Sequence, residues 1–239
     1  MNGVTEDSYR LKFYDCDCYG GVKLSSLLKI FSEIAGYDYT LKGYSHEYMW
    51  EHEMVFLLSK VTIHVIRQPK NQEQLNVKTW ECGKKGAMYL RGSAIEDESG
   101  ETIIDSVSGW VLVNPETRRI YRPSHFDAGF PQLTDMPTIA PVPAKIVYDE
   151  LREAGTHVVR FSELDNNGHL YNAGYGDVAL DALSEEERRR EYTDFAVSFV
   201  GEAKLGDEIK LYKQSSTAGV VVVGRIDGRE CFEISMSAE

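Results

Sequence analysis

Residues 165 to 172 read Asp165-Asn166-Asn167-Gly168-His169-Leu170-Tyr171-Asn172. If this string is extended, Asp165, Asn167 and His169 occupy alternate positions and point to one side. A carboxylate, a carboxamide and an imidazole would then converge just ahead of a helical segment, whose first backbone N–H groups favour developing negative charge. Those are the components of a hydrolytic centre: a carboxylate, a group that titrates near neutral pH, and donors for an oxyanion. Asp, Asn and Gly are equally the ordinary residues of a turn, so the string supports a structural reading as well. A partner should come from further along the chain. Glu202 follows the apolar run Phe195-Ala196-Val197-Ser198-Phe199-Val200. It is a candidate for a partly buried carboxylate, the setting that tunes such a group towards a useful base, or else an exposed residue at a strand end.

Two helices are needed to carry such a site. Leu24, Leu27, Leu28, Phe31, Ile34 and Ala35 recur at three- and four-residue spacing and predict a helix ending near Gly43. A second stripe runs through Tyr175, Val178, Ala179, Ala182 and Leu183, interrupted by Gly174 and Gly176, and Ser184 and Glu187 are spaced as a capping box. Elsewhere the alternation is that of strands, as in Val61, Ile63, Val65 and Leu75, Val77, Thr79, punctuated by turns such as Asp227–Gly228. Sliding the chain by 148 residues sets Phe13 on Phe161, Asp17 on Asp165 and Gly20 on Gly168. After the helix the offset becomes 134, pairing Leu75 with Ile209, because the first copy inserts residues 43–54. The fold expected is therefore α+β: two tandem units, each a long helix wrapped by an antiparallel sheet. The first unit is expected at 1–125, a proline-bearing linker at 126–144 and the second unit at 145–239. The first copy carries Tyr19, Gly21 and Gln68 where the second has Asn167, His169 and Glu202. Asp165 and Gly168 can thus serve a turn common to both copies, whereas Asn167 and His169 are not needed to make it.

Twenty-six Lys and Arg against 38 Asp and Glu give a formal charge of −12, which argues against nucleic acid or anionic membrane as partner. No apolar stretch approaches the roughly 20 residues of a membrane span. The first residues show no basic-then-apolar leader. Four scattered cysteines suggest neither a disulfide framework nor a metal site, and no motif calls for a cofactor. A reduced, cytoplasmic protein is expected. Gly174-x-Gly176-x-x-Ala179 lies inside a helical stripe rather than after a strand, and so is not a dinucleotide fingerprint. Arg118, Arg119 and Arg122, like Arg188–Arg190, are either solvated faces or basic patches for an acidic partner.

The Asp-x-Asn-x-His string with Asn172, and Ser108-Gly109-Trp110-Val111-Leu112-Val113-Asn114 leading into Thr117-Arg118-Arg119, resemble the acyl-acyl-carrier-protein thioesterases of plant plastids and their bacterial relatives. The resemblance runs from Tyr9 to about Ser237. It implies a tandem pair of hotdog units and catalytic roles for Asp165, Asn167, His169 and Glu202. Either Glu202 activates water or Asp165 attacks directly; His169 would shuttle a proton or bind the thioester, and Asn167 would hold the carbonyl or the water. A family cysteine falls where this chain has Ala203, so the thiol is dispensable or the chemistry differs. The absence of a transit peptide favours a bacterial cytoplasmic member. Acyl carrier protein with a fatty acyl chain is the implied partner, with a second copy of the chain as a further one. Asn172, Met49 and Phe56 are expected to contact substrate, the latter two within an acyl tunnel lined by the first unit's helix and residues 49–57. A coenzyme A thioesterase and a non-catalytic acyl-binding protein are the rival readings.

Overall fold

The alternating stretches seed strands longer than themselves. In the computed structural model, which describes residues 3–122, 126 and 136–238, Val61, Ile63 and Val65 close the strand Val55–Val65 and Leu75 opens the buried side of Gln74–Lys85. The chain divides into two compact units, one of Met1–Phe13 and Lys29–Pro143, the other of Tyr14–Leu28 and Ala144–Glu239.

The first unit holds β1 (Val4–Arg10), β2 (Val55–Val65), β3 (Gln74–Lys85), β4 (Met88–Glu96) and β5 (Thr102–Val113), antiparallel in the order β1-β3-β4-β5-β2. The second holds β6 (Arg152–Val158), β7 (Asp194–Phe199), β8 (Glu208–Ser215), β9 (Gly219–Ile226) and β10 (Arg229–Ser237), in the order β6-β8-β9-β10-β7. The two orders are the same once strands are matched in sequence. Register agrees as well, since Tyr9 faces Leu75 in one unit and His157 faces Ile209 in the other, at the offsets of 148 and 134.

Helix α1 (Leu24–Leu41) buries the expected stripe and stops where Gly43, at φ +86°, supplies the left-handed turn that closes a helix. Its later half is tied to the first unit's sheet by charge. Asp38 is fully buried and accepts from Arg91 at 2.8 Å, Lys42 at 2.5 Å and the Thr5 hydroxyl at 2.6 Å, while Arg91 also pairs with Glu81. Two cations against two carboxylates leave the cluster neutral, which is what makes burying it tolerable. Arg91 also lies 4.8 Å over the Tyr39 ring, which stacks on Phe56 at 5.0 Å. The insertion at 43–54 forms α2 (His46–Glu51), capped by the Ser45 hydroxyl accepting from the Tyr48 N–H.

The second unit's helix is short rather than long. α3 (Gly174–Asp181) has eight residues, and Ser184 then caps a separate turn, α4 (Glu185–Arg188), through the expected box with Glu187. The two glycines of α3 are packing residues. A Cβ at Gly174 would lie 2.9 Å from the Leu170 side chain, and one at Gly176 3.2 Å from the Ser25 backbone. The unit boundaries also depart from a cut through a linker at 126–144. Residues 14–28 belong with the second unit. Where it is described, the supposed linker is partly bonded into the first unit, the Ile139 and Ala140 N–H groups donating to Asp105 and the Thr62 hydroxyl to the Pro141 carbonyl. Residues 127–135 lie outside the described residues.

Candidate active site

Asp165 to His169 form a closed loop, not the extended segment that would project three side chains to one side. Leu164 and Leu170 pair across its base, the Asp165 N–H donates to the His169 carbonyl at 2.8 Å, and Gly168 turns the chain at φ +78°. One carboxylate oxygen of Asp165 folds back to accept from the N–H groups of Asn167 (2.8 Å) and His169 (3.1 Å). Asp165 is therefore a loop-building residue in the first instance. Asn167 is exposed in the middle of that loop, and Asn172 is exposed in the turn before α3.

Leaving the loop, the chain runs antiparallel to the link between β7 and β8. His169 bridges to Lys204, and the Leu170 N–H donates to the Ala203 carbonyl at 2.8 Å. That pairing brings the His169 Nε2 to 3.4 Å from the Glu202 Oε2. The imidazole side chain is 18% exposed and the carboxylate 37%, so Glu202 is exposed rather than partly buried, and solvent reaches it. The separation is longer than the roughly 2.7–3.2 Å usual for such a hydrogen bond and short enough for an ion pair when the imidazole is protonated.

The backbone around Glu202 is held on several sides. The Val200 and Gly201 N–H groups both donate to the Cys231 carbonyl at 2.9 Å. The Tyr175 hydroxyl donates to the Gly201 carbonyl at 3.2 Å and accepts from the Ala203 N–H at 3.1 Å. Burial first, then the neighbouring Cys231, Glu202 and Asp165, hold this phenol well above the ordinary tyrosine range, so it stays a donor at any working pH. A second histidine–carboxylate contact in the unit, His157 Nε2 to Glu163 Oε2 at 3.0 Å, is of another kind. The same Glu163 oxygen accepts the Arg160 N–H at 2.7 Å and caps a helical turn.

The first unit contributes a cavity of about 520 Å³, walled by Tyr39, Met49, Trp50, Met54, Phe56 and Trp110 among others. Met49 and Phe56, both expected to contact substrate, are among its walls, and the inserted α2 forms part of the wall. Trp110 of β5 and the role of Tyr175 were not anticipated. A phenol on a buried helical stripe is a signal that could have exposed the latter, because its hydroxyl needs a partner. The arginines separate into two groups. Arg188 bonds the Leu180 and Asp181 carbonyls at the end of α3, Arg189 pairs with Glu185 at 2.7 Å, and Arg190 donates to the Ser216 carbonyl at 2.7 Å. Arg118 and Arg119 are exposed on the turn after β5. No helix among the described residues is long and apolar enough to cross a membrane.

Two units of one topology, each an antiparallel sheet with a helix against it, define a tandem hotdog protein. Residues 2–125 match the acyl-ACP thioesterase N-terminal domain and residues 149–230 the acyl-ACP thioesterase C-terminal domain, so the chain belongs to the acyl-ACP thioesterase family. A chloroplastic acyl-[acyl-carrier-protein] hydrolase of Cuphea viscosissima is 27% identical over 150 residues, which cover 58% of this chain and 35% of that protein. The chloroplastic palmitoyl-acyl carrier protein thioesterase of Cuphea hookeriana is 23% identical over 201 residues, covering 77% and 48%. The chain thus spans half or less of the length of these curated relatives. In structure, an acyl-ACP thioesterase from Bacteroides thetaiotaomicron superposes with a TM-score of 0.91 at 21% identity, covering 100% of this chain and 98% of the other. The 12:0-ACP thioesterase from Umbellularia californica does so at 0.78 and 14%, covering 99% and 97%.

Proposed function

We propose that the protein hydrolyses the thioester joining a fatty acyl chain to the phosphopantetheine of acyl carrier protein, releasing free fatty acid. The observation that carries this reading is the His169–Glu202 contact of 3.4 Å, with its carboxylate open to water. Glu202 takes a proton from the attacking water as it adds to the thioester carbonyl, and His169 delivers a proton to the departing sulfur. The Asn167 amide holds the carbonyl oxygen as charge develops there, close in sequence to the α3 N-terminus, whose dipole favours that charge. Asp165 positions Asn167 and His169 through their backbone N–H groups, which bond one of its two carboxylate oxygens. Ala203 offers no thiol, and in this reading water is the nucleophile. The apolar cavity of the first unit takes the acyl chain, each methylene withdrawn from water contributing about 0.8 kcal/mol. Arg118 and Arg119, both exposed, offer cationic side chains to an acidic carrier.

The test is a panel of acyl groups presented on acyl carrier protein and on coenzyme A, with liberated chains quantified for the wild type, His169→Gln and Glu202→Gln. Carrier-linked substrates should turn over faster than coenzyme A thioesters of the same chain. Each substitution should lower kcat by about 10²–10⁴-fold. Equal rates on both thiols would favour a coenzyme A thioesterase, and undiminished turnover by both variants would remove the pair from the mechanism.

A further inference from the structure

Glu202 stands on an irregular link, not within a strand, so the ladder alone does not fix where its carboxylate points. The residues on either side of it, Gly201 and Ala203, are both bonded to one hydroxyl, that of Tyr175. We propose that Tyr175 is a positioning residue of the hydrolytic centre: its phenol clamps the two peptide groups flanking Glu202 and so sets the His169–Glu202 separation. This rests on the hydrolytic reading above.

The first copy of the repeat supplies the argument. Most of the framework around Glu202 recurs there. The Ile66 and Arg67 N–H groups converge on the Ile103 carbonyl just as those of Val200 and Gly201 converge on Cys231. The Lys70 N–H donates to the Glu73 carboxylate as the Lys204 N–H does to Asp207. Those contacts keep the fold, since they persist where Gln68 replaces Glu202. The phenol clamp does not recur. The residue 148 before Tyr175 is Leu27, which has no hydroxyl, and the residue 134 before Ala203 is Pro69, which has no N–H to give. Both halves of the bond are lost in the copy that also lacks the histidine and the glutamate. A contact needed only to hold the fold would have been retained with the others.

The ring itself is packed independently of its hydroxyl, 5.9 Å from Phe199 and 5.2 Å from Phe232. Tyr175→Phe therefore keeps the core while releasing the backbone around Glu202. Displacement of a reacting group by about 1 Å can cost on the order of 100-fold, so kcat should fall by about 10- to 100-fold with KM changed less than about twofold. Val222→Ala, a cavity in the buried face of β9 that removes no hydrogen bond, serves as a control for loss of melting temperature, and should leave kcat unchanged. Site-specific 3-fluorotyrosine at position 175, which retains ring and hydroxyl, should restore it. A substrate-free readout separates this idea from the hydrolytic reading. The His169 ring signals in the NMR spectrum, assigned with His169→Gln, should move in Tyr175→Phe and stay in Val222→Ala. If the wild type hydrolyses no thioester but the His169 signals move, the clamp stands and the function falls. Unmoved signals, or a Tyr175→Phe kcat within twofold of the wild type or matched by Val222→Ala, would overturn the clamp.

Discussion

Residues 13–22 and 161–170 build the same object twice. Each begins with a helical turn, Phe13–Asp15 or Phe161–Glu163. Each then closes a loop across a single bridge, Cys16 to Val22 or Leu164 to Leu170. In each a carboxylate oxygen accepts two N–H groups of its own loop, Asp17 from Tyr19 and Gly21, Asp165 from Asn167 and His169. Glycine turns both loops at positive φ, +91° at Gly20 and +78° at Gly168. Geometry conserved through so complete a change of side chains is scaffolding. The proposed chemistry is confined to what differs, namely Tyr19 against Asn167, Gly21 against His169, and Gln68 against Glu202. A loop whose backbone bonds are supplied by one Asp can exchange the residues between without refolding.

The sharpest way to break that division is at Asn167, whose side chain the loop does not use and the proposed mechanism does. Removing one donor to a developing oxyanion typically costs about 10²–10³ in kcat. Asn167→Ala should show a loss of that size with a melting temperature within about a degree or two of wild type, while Tyr19→Ala in the first copy should leave kcat alone. Full activity in Asn167→Ala would return the residue to the turn.

Asp165 and Asp17 offer a subtler comparison. If both are loop builders, Asp→Asn, which keeps an acceptor oxygen at the same place, should destabilise each copy by a similar amount, about 1 kcal/mol in chemical denaturation. Asp165→Asn should then retain kcat to within about tenfold, because the bonds it supports are weakened rather than removed. A nucleophilic Asp165 would instead lose about 10⁴-fold or more. Steady-state kinetics on the paired variants decides between them.

How much of this could be seen beforehand follows from which contacts are local. Phe13, Asp17 and Gly20 betray the repeat because each does its structural work within a few residues of itself. The same locality explains why the capping box at Ser184 and Glu187 and the turn at Asp227–Gly228 formed as expected. Alternation of residue types leaves the extended and the turn readings of 165–169 both open, because it does not reveal that Asp165 bonds its own backbone. Contacts of long range left less trace. The Tyr175 hydroxyl reaches groups 26 and 28 residues away, and the assignment of residues 14–28 to the second unit depends on packing such as Gly176 against Ser25. The insertion at 43–54 registered as a break in the offset, yet that break is part of the cavity wall.

The two units also differ in how a helical end is tied to the third strand of the sheet, and pH exposes the difference. In the first unit Tyr39 and Asp38 meet Glu81 and Arg91; in the second, Glu187 meets Lys213 at 2.6 Å and the Ser215 hydroxyl, at the positions 134 beyond Thr79 and Glu81. Burial holds the Tyr39 phenol far above the acid range, so that group keeps its proton there. Burial opposes the charge on Glu187 too, but bonds from Lys213, Ser215 and Ser184 outweigh it and bring the carboxyl down from 4.5 to about 2. A folded-state value below the unfolded one means stabilisation that is complete above pH 4.5 and disappears as pH falls through about 2. Glu187→Gln should therefore melt at a lower temperature than wild type at neutral pH, with the gap closing steadily as pH falls across that window. Melting curves at intervals of half a pH unit would show it; a gap independent of pH would mean that the Glu187 charge contributes nothing and its hydrogen bonds everything.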